Sequence, residues 1–146
     1  MSSVKMYPDG VSFGRPEHAP YLEYRVMVRQ NGQYSLTSYL APTNHLSLTS
    51  GLKYATGFDN GTPVIADALP ADFEGGNHDN AAWCHAVMDN IHTTTTRHTL
   101  TKGIHTLRFY GLDAGLVLQK LVLSAVPLPY SYLGPVESFY TGQPAQ

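Results

Sequence analysis

The chain has 146 residues, of which 14% are charged, and its formal net charge is −2. This length suits one domain with its own hydrophobic core and is far short of the ~250 residues of a (β/α)₈ barrel. Lys and Arg total 9 and form no cluster, and no apolar run reaches the ~20 residues that span a bilayer. We therefore expect neither nucleic acid nor a membrane as a partner.

Cysteine usage and the first residues bear on where the protein works. Cys84 is the only cysteine, so an internal disulfide is excluded. The segment from Met1 to Lys5 lacks the apolar stretch of a signal peptide. We interpret Met1 as the start of a domain separated from a longer protein, and we expect no signal peptide in this chain.

The first third of the chain predicts two strands joined by a tight turn. A lead-in containing Gly and Pro precedes the segment from Tyr21 to Gln30, in which apolar and polar residues alternate as in a half-buried strand. Asn31-Gly32 then favours a hairpin turn, because both central residues of a type I′ turn need positive φ. The expected partner strand runs from Tyr34 to Leu40.

The middle third begins with a second predicted hairpin. Leu52 to Phe58 and Thr62 to Ala68 have the composition of strands on either side of the tight turn Asp59-Asn60-Gly61. Pro63 cannot donate a ladder hydrogen bond, so it indicates an edge or strand-start position.

One short helix is predicted before the chain returns to strand. Trp83, Val87 and Ile91 share helical spacing. The β-branched run from Thr93 to Thr96 ends this pattern and favours a strand.

The last third carries the clearest strand signals. Ile104 to Tyr110 alternates in period two, and Asp113-Ala114-Gly115 predicts the next turn. Leu116 to Leu123 is nearly all apolar, as expected for a strand that is buried on both faces. The Pro- and Tyr-rich tail from Ser124 is expected to run irregularly over the surface.

Seven or eight short strands with turn signals between them predict an all-β fold, an antiparallel β-sandwich of the jelly-roll type with one short helix. Galactose-binding-like and carbohydrate-binding-module-like domains have this architecture. We divide the chain into a lead-in (1–18), the β-sandwich domain (19–124) and a C-terminal tail that packs on the sandwich (125–146).

No motif in the sequence predicts catalysis or metal binding. The chain lacks a glycine-rich phosphate loop, Gly-x-Ser-x-Gly, Cys-x-x-Cys and His-Glu-x-x-His. His78, His85 and His92 are seven residues apart, which on a helix separates them by ~10 Å, too far to share a zinc ion. Most acidic residues stand at predicted turns, where Asp closes backbone hydrogen bonds. We therefore assign no catalytic residue and no metal ligand.

Candidate sugar-binding residues follow from chemistry, because sugar rings stack on aromatic faces that have hydrogen-bonding groups beside them. Trp83 is the sole Trp, and Tyr39 and Tyr110 fall on the polar sides of their predicted strands. Asn90 and Asp113 stand at predicted turns. These five residues are the predicted carbohydrate-binding residues, although the helical spacing of Trp83 favours a core position for it as the alternative.

Several strings of this sequence match one known family. They are Ala19-Pro20-Tyr21-Leu22-Glu23-Tyr24, Tyr39-Leu40-Ala41-Pro42-Thr43, Gly51-Leu52-Lys53-Tyr54-Ala55, Val87-Met88-Asp89-Asn90-Ile91, Gly103-Ile104-His105-Thr106-Leu107, Asp113-Ala114-Gly115-Leu116-Val117-Leu118-Gln119-Lys120 and Ser131-Tyr132-Leu133-Gly134-Pro135-Val136-Glu137-Ser138. Together they resemble the C-terminal domain of family 115 glycoside hydrolases, the xylan α-glucuronidases, from about Ala19 to Ser138. The closing string is the most specific part.

The resemblance implies a β-sandwich at the end of a multidomain enzyme that removes glucuronic acid or its 4-O-methyl ether from xylan. The family's catalytic residues lie in an upstream barrel, so no catalytic role passes to this chain. The parent enzyme is expected to be secreted or periplasmic. No cofactor is expected, and a structural calcium ion is the alternative; Ser124 stands where related modules often carry Asp. Val136 replaces a second Pro that is usual in the family.

Two classes of function follow from the sequence and the resemblance, and a third is the less favoured alternative. The first is a non-catalytic module that binds xylan, glucuronoxylan or a related plant polysaccharide. The second is a structural domain that docks on the parent catalytic domain or mediates dimerisation without binding sugar. The third is an autonomous hydrolase.

Overall fold

The protein is described here by a computed structural model that covers residues 3–6, 11–41, 52–69, 79, 81, 84, 91–129, 134–136 and 138. Eight strands lie in these ranges: β1 (Val4–Lys5), β2 (Tyr21–Val28), β3 (Gly32–Leu40), β4 (Lys53–Phe58), β5 (Val64–Asp67), β6 (His92–Leu100), β7 (Gly103–Gly111) and β8 (Val117–Ser124). A 3₁₀ turn spans Pro16–His18. No helix in these ranges is long and apolar enough to cross a membrane.

The strands form two antiparallel sheets of four strands each. Sheet 1 has the order β1-β8-β3-β6, and sheet 2 has the order β2-β7-β4-β5. The predicted all-β antiparallel sandwich is thus confirmed. Ala81 and Cys84 are helical, but most of the helix predicted around Trp83 lies outside the described residues.

The connection at Asn31-Gly32 differs from the prediction. β2 pairs with β7, whereas β3 pairs with β6 and β8, so β2 and β3 lie in different sheets and form no hairpin. The link between β6 and β7 crosses between the sheets at the same corner, and Asn31 Oδ1 accepts a hydrogen bond from Lys102 N–H at 2.6 Å. A sharp turn can therefore join strands across a sandwich as well as within one sheet.

The second predicted hairpin is confirmed. β4 pairs with β5, and Asp59 in the turn between them has φ of 54°. β5 is an edge strand, and Pro63 directly precedes it, as expected for a residue without an N–H group.

Strand β8 is less buried than its apolar sequence predicts. Leu118 is its only fully buried residue, and the other seven are half-buried. The strand lies between β1 and β3 in sheet 1, so one face enters the core and the other forms part of the outer surface. The prediction of burial on both faces was wrong because only the face of β8 that points toward sheet 2 enters the core.

The hydrophobic core lies between the two sheets. Its larger cluster is made of Met6, Leu40, Leu52, Tyr54, Ala68, Leu69, Phe109, Leu116 and Leu118, and a second cluster of Val28, Leu36, Phe58, Leu100 and Leu107. The rings of Tyr54 and Phe109 stack with centroids 5.0 Å apart. Burying each large side chain stabilises the fold by about 1.5–3 kcal/mol, so these clusters hold the sheets together.

A polar seam between β4 and β6 crosses this core. The hydroxyl of Tyr54 is hydrogen-bonded to that of Thr94 at 2.6 Å, and the hydroxyls of Thr56 and Thr96 are 2.9 Å apart. His98 Nε2 lies 2.9 Å from the Thr96 hydroxyl and 3.1 Å from that of Thr56. Burial lowers the pKa of His98. The threonine run of β6 therefore fixes how the two sheets face each other.

Candidate functional site

The outer face of sheet 1 carries Tyr39, which is covered by another part of the chain. Tyr39 alternates with core residues and points outward, yet it is only 3% exposed. Gly134, with φ of 66°, lies against its ring, so that a Cβ at that position would approach Tyr39 Cζ to 3.0 Å. Lys120 Nζ donates a hydrogen bond to the Pro135 carbonyl at 2.7 Å. Gly134 and Pro135 belong to the C-terminal segment, which the structure describes at residues 125–129, 134–136 and 138. Tyr39, a predicted sugar-binding residue, is therefore covered by its own chain and offers no free ring face.

In the described part of the chain, the outer face of sheet 2 is exposed along β2 and mostly half-exposed along β7. We call this surface the β2–β7 strip; it consists of four cross-strand pairs, Tyr21 with Tyr110, Glu23 with Arg108, Arg25 with Thr106, and Met27 with Ile104. Tyr21 is 54% exposed at one end of the strip, and Met27 is 65% exposed at the other.

The aromatic end of the strip is organised around one arginine. The rings of Tyr21 and Tyr110 lie 5.4 Å apart at 49°, and the guanidinium carbon of Arg108 lies 5.5 Å from the Tyr21 ring centroid. Arg108 Nε donates to Glu23 Oε2 at 2.9 Å, and Nη1 donates to the Asp59 carbonyl at 3.3 Å. Hydrogen bonds with Glu23, and then with Tyr110, raise the pKa of Arg108. This cluster combines aromatic faces with fixed donors and acceptors.

The lead-in bounds the strip on its β4 side. Ala55 of β4 is an outward residue, but it is fully buried in a small cluster with Ala19 and Leu112. Phe13 and Tyr110 pack against the same cluster. Tyr110 is therefore anchored on one side and half-exposed on the other, which gives the strip a wall along β4 and an open side along β2.

Asp113 holds the lead-in to the sandwich. Its Oδ1 accepts a hydrogen bond from the Ser12 hydroxyl at 2.5 Å, and its Oδ2 accepts one from Lys53 N–H at 2.8 Å. The residue is only 9% exposed. Both carboxylate oxygens are engaged by the chain itself, so the geometry gives Asp113 a structural role in place of the predicted contact with sugar.

The five predicted sugar-binding residues do not form one site. Tyr110 lies in the strip, Tyr39 lies on the opposite sheet, and Asp113 is buried at the lead-in. Trp83 and Asn90 lie outside the described residues and stay predictions. Sequence reasoning missed Tyr21, Glu23 and Arg108, although their alternation already placed Glu23 and Arg108 on polar faces. The missing information was the pairing of β2 with β7.

His105 and Asp59 form a pair at the end of the sandwich near the β4–β5 turn. His105 Nδ1 lies 2.7 Å from Asp59 Oδ2, and His105 Nε2 lies 2.7 Å from the Thr101 carbonyl oxygen. Because both ring nitrogens face acceptors, the protonated ring is favoured, and the pKa of His105 is raised, first by Asp59 and then by Thr101. The pKa of Asp59 is lowered, first by the Thr106 backbone N–H and then by His105. The pair stabilises the turn.

Metal ligands are not gathered in the part of the chain that the structure describes. No three His, Cys, Asp or Glu residues in those ranges could hold an ion together. The expectation that the protein works without a cofactor, and the calcium alternative, both stay predictions.

Comparisons with solved structures place the fold. A family GH115 4-O-methyl-α-glucuronidase with specificity for decorated arabinogalactans matches with a TM-score of 0.61 and 19% identity, over 75% of this chain and 14% of that one. A family 35 carbohydrate-binding module from Clostridium thermocellum matches with a TM-score of 0.54 and 16% identity, over 86% of this chain and 89% of the module. A family 35 module from an environmental isolate matches with a TM-score of 0.51 and 10% identity, covering 86% and 85%. These likenesses show the β-sandwich fold.

Sequence comparison gives the family. No curated protein matches the chain. The family described as glycosyl hydrolase family 115 C-terminal domain matches residues 1–137, which include the lead-in, the sandwich and most of the tail. The chain therefore belongs to the C-terminal domain family of glycoside hydrolase family 115.

Proposed function

We propose that this domain is a non-catalytic module that binds glucuronoxylan or a related acidic plant polysaccharide through the β2–β7 strip. The observation that carries the proposal is the cluster of two tyrosines, Tyr21 and Tyr110, around the ion pair of Arg108 with Glu23. No residue that the structure describes covers this part of the sheet. The likeness of the fold to family 35 carbohydrate-binding modules supports the same class of function.

The chemistry of the strip suits a sugar with an acidic substituent. Tyrosine rings offer apolar faces for the C–H groups of a pyranose, while Glu23 and Arg108 supply an acceptor and donors for its hydroxyls. Arg25 lies next to this pair on β2 and is exposed. It adds a second guanidinium, which can bind a carboxylate through two parallel hydrogen bonds.

The chemical step is assigned to a parent enzyme, which we expect to be secreted or periplasmic. The solved family GH115 enzyme is far longer than the region it shares with this chain, which is 14% of its length. In this proposal the parent catalytic domain removes the uronic acid from the polysaccharide, and the present domain holds the polysaccharide nearby. Binding of glucuronoxylan by this domain is the property that tests the assignment.

Affinity electrophoresis tests the proposal directly. We expect the domain to be retarded in gels that contain glucuronoxylan, and Tyr21→Ala to weaken binding about tenfold, or about 1.4 kcal/mol. Tyr24→Ala is a matched control, because Tyr24 is on the same strand, is 41% exposed and alternates to the opposite face. Parallel gels that contain decorated arabinogalactan or unsubstituted xylan show which of the three polymers the domain prefers. Unretarded migration in all three polymers would refute the proposal.

A second candidate function is docking on the parent catalytic domain. It is favoured by two exposed apolar residues of the C-terminal segment, Val126 at 65% and Val136 at 89%. If this segment docks, Val126→Asp and Val136→Asp should weaken the association of this domain with the separately produced catalytic domain. Analytical sedimentation measures that association. Retardation by polysaccharide should not change in these variants, because both residues lie outside the strip.

A further inference from the structure

We infer that the β2–β7 strip binds an internal stretch of an extended polysaccharide chain, rather than a chain end or a single sugar. The inference rests on the proposed function and concerns how the ligand lies on that surface. It predicts that several consecutive sugars are bound at once and that the residues far from the tyrosines contribute to affinity.

The strip is longer than a single sugar. Met27 lies six positions after Tyr21 along β2, which at ~3.4 Å per position is roughly 20 Å. Cross-strand pairs on β7 accompany β2 over this whole length. A single monosaccharide covers only part of such a surface, so a ligand that uses all four pairs must be an oligomer.

Both ends of the strip are exposed. Tyr21 is 54% exposed at one end, and Met27 and Ile104 are 65% and 56% exposed at the other. The described chain therefore closes neither end, and a ligand can continue past both. A site for a chain end would need a wall that stops the last sugar.

The nearby cleft offers no such end site. It lies between the edges of β1 and β2 and is lined mainly by apolar residues, among them Met6, Leu22, Phe109 and Leu118. Side chains of this kind leave sugar hydroxyls without hydrogen-bond partners, and desolvating them there is unfavourable. Tyr21 and Lys5 also line this cleft, but the Arg108–Glu23 pair, which supplies donors and an acceptor for sugar hydroxyls, stands on the strip.

The two ends of the strip carry different side chains, so they make different contacts with the ligand. The end with Tyr21, Tyr110 and the Arg108–Glu23 pair supplies aromatic faces and charged hydrogen bonds. The end with Met27 and Ile104 supplies apolar surface that can cover the C–H face of a further sugar. Short ligands are expected at the tyrosine end, and only longer ones reach Met27.

Calorimetric titration with glucuronoxylan oligosaccharides, from the disaccharide to the hexasaccharide, tests the inference. We expect affinity to rise about tenfold along the series and then to level off. The double variant Met27→Ser/Ile104→Ser should flatten this rise, with about a fivefold loss for the hexasaccharide and less than about a twofold loss for the disaccharide. Both residues are exposed, so the variant should keep its fold, which circular dichroism checks.

Three results would overturn the inference. One is equal affinity across the series for the wild type, and another is an equal loss for short and long ligands in the double variant. The third is a loss of binding when the reducing-end sugar is converted to its alditol, since that would show recognition of a chain end. In all three cases polysaccharide binding itself persists. Absence of binding to every oligosaccharide and polymer would overturn the proposed function as well.

Discussion

The outer faces of the two sheets carry the same residue type with opposite outcomes. Tyr39 on sheet 1 is 3% exposed beneath the C-terminal segment, whereas Tyr21 on sheet 2 is 54% exposed beside Arg108. Both residues alternate outward from their strands. The outward position of an aromatic residue therefore does not make it available to a ligand, because segments distant in sequence decide whether the face stays exposed.

The largest expected effect concerns stability on the covered face. Tyr39→Ala should lower the free energy of unfolding by about 3 kcal/mol, because it leaves a cavity under the C-terminal segment. Urea denaturation measures this loss. The folded variant should still bind glucuronoxylan with wild-type affinity. Binding weaker than that of the Tyr21→Ala variant would instead place the ligand on sheet 1.

The C-terminal segment itself gives the next effect. Gly134→Ala should destabilise the protein by about 1–2 kcal/mol, because alanine is strained at φ of 66° and its Cβ would press on the Tyr39 ring. Gly14→Ala is the control, since nothing lies within 4 Å of a Cβ at that position. Equal unfolding midpoints for the two variants would show that the segment does not pack on Tyr39.

A smaller effect is expected from the ion pair on the open face. Arg108→Gln should weaken polysaccharide binding about fivefold, or about 1 kcal/mol, because it removes the charge between Glu23 and the Tyr21 ring. The pair is solvent-exposed, so the free energy of unfolding should change by less than about 1 kcal/mol. Unfolding curves and titrations of the same samples separate the two quantities. Unchanged binding would remove Arg108 from the site.

The smallest effect is a pH dependence that differs between the sheets. Burial lowers the pKa of His98 in β6, so its contribution to stability is present above its unfolded pKa of about 6.5 and is lost as pH falls. Asp59 raises the pKa of His105 in β7, so its contribution is present below about 6.5 and is lost as pH rises through the raised folded pKa.

Stability should therefore be greatest near the unfolded pKa of histidine and decline on both sides. Thermal unfolding between acidic and mildly alkaline pH measures the profile. His98→Gln should remove the acid-side decline caused by this residue, and His105→Gln the alkaline-side decline. A monotonic profile in the wild type would contradict one of the two assignments.

Strand positions were predictable because their signals are local. The alternation in Tyr21 to Gln30 and the turn at Asp59-Asn60-Gly61 depend on residues within a few positions, and both features appear in the structure. Asn31-Gly32 correctly marked the connection between β2 and β3, but Asn31 lacks the positive φ that the predicted type I′ turn requires. Turn chemistry also does not say whether the next strand stays in the same sheet, and there too the prediction was wrong.

The candidate site was less predictable because it depends on distant pairings. The contact of Tyr21 with Tyr110 requires that β2 pair with β7, and no local pattern specifies that partner. Asp113 was predicted to contact sugar from a turn, yet it accepts a hydrogen bond from Ser12, which is 101 positions away in the sequence. Such contacts depend on how the sheets assemble and are set by burial of the whole core.

Alternation, turn chemistry and family strings are local properties of the chain, so the class of fold, most strands and the family could be predicted from the residues alone. Which faces stay exposed depends on three-dimensional packing. Packing covers Tyr39, engages Asp113 and brings Tyr21, Glu23, Arg108 and Tyr110 together. Side-chain direction follows from period two along one strand, whereas exposure depends on every segment that packs against that strand.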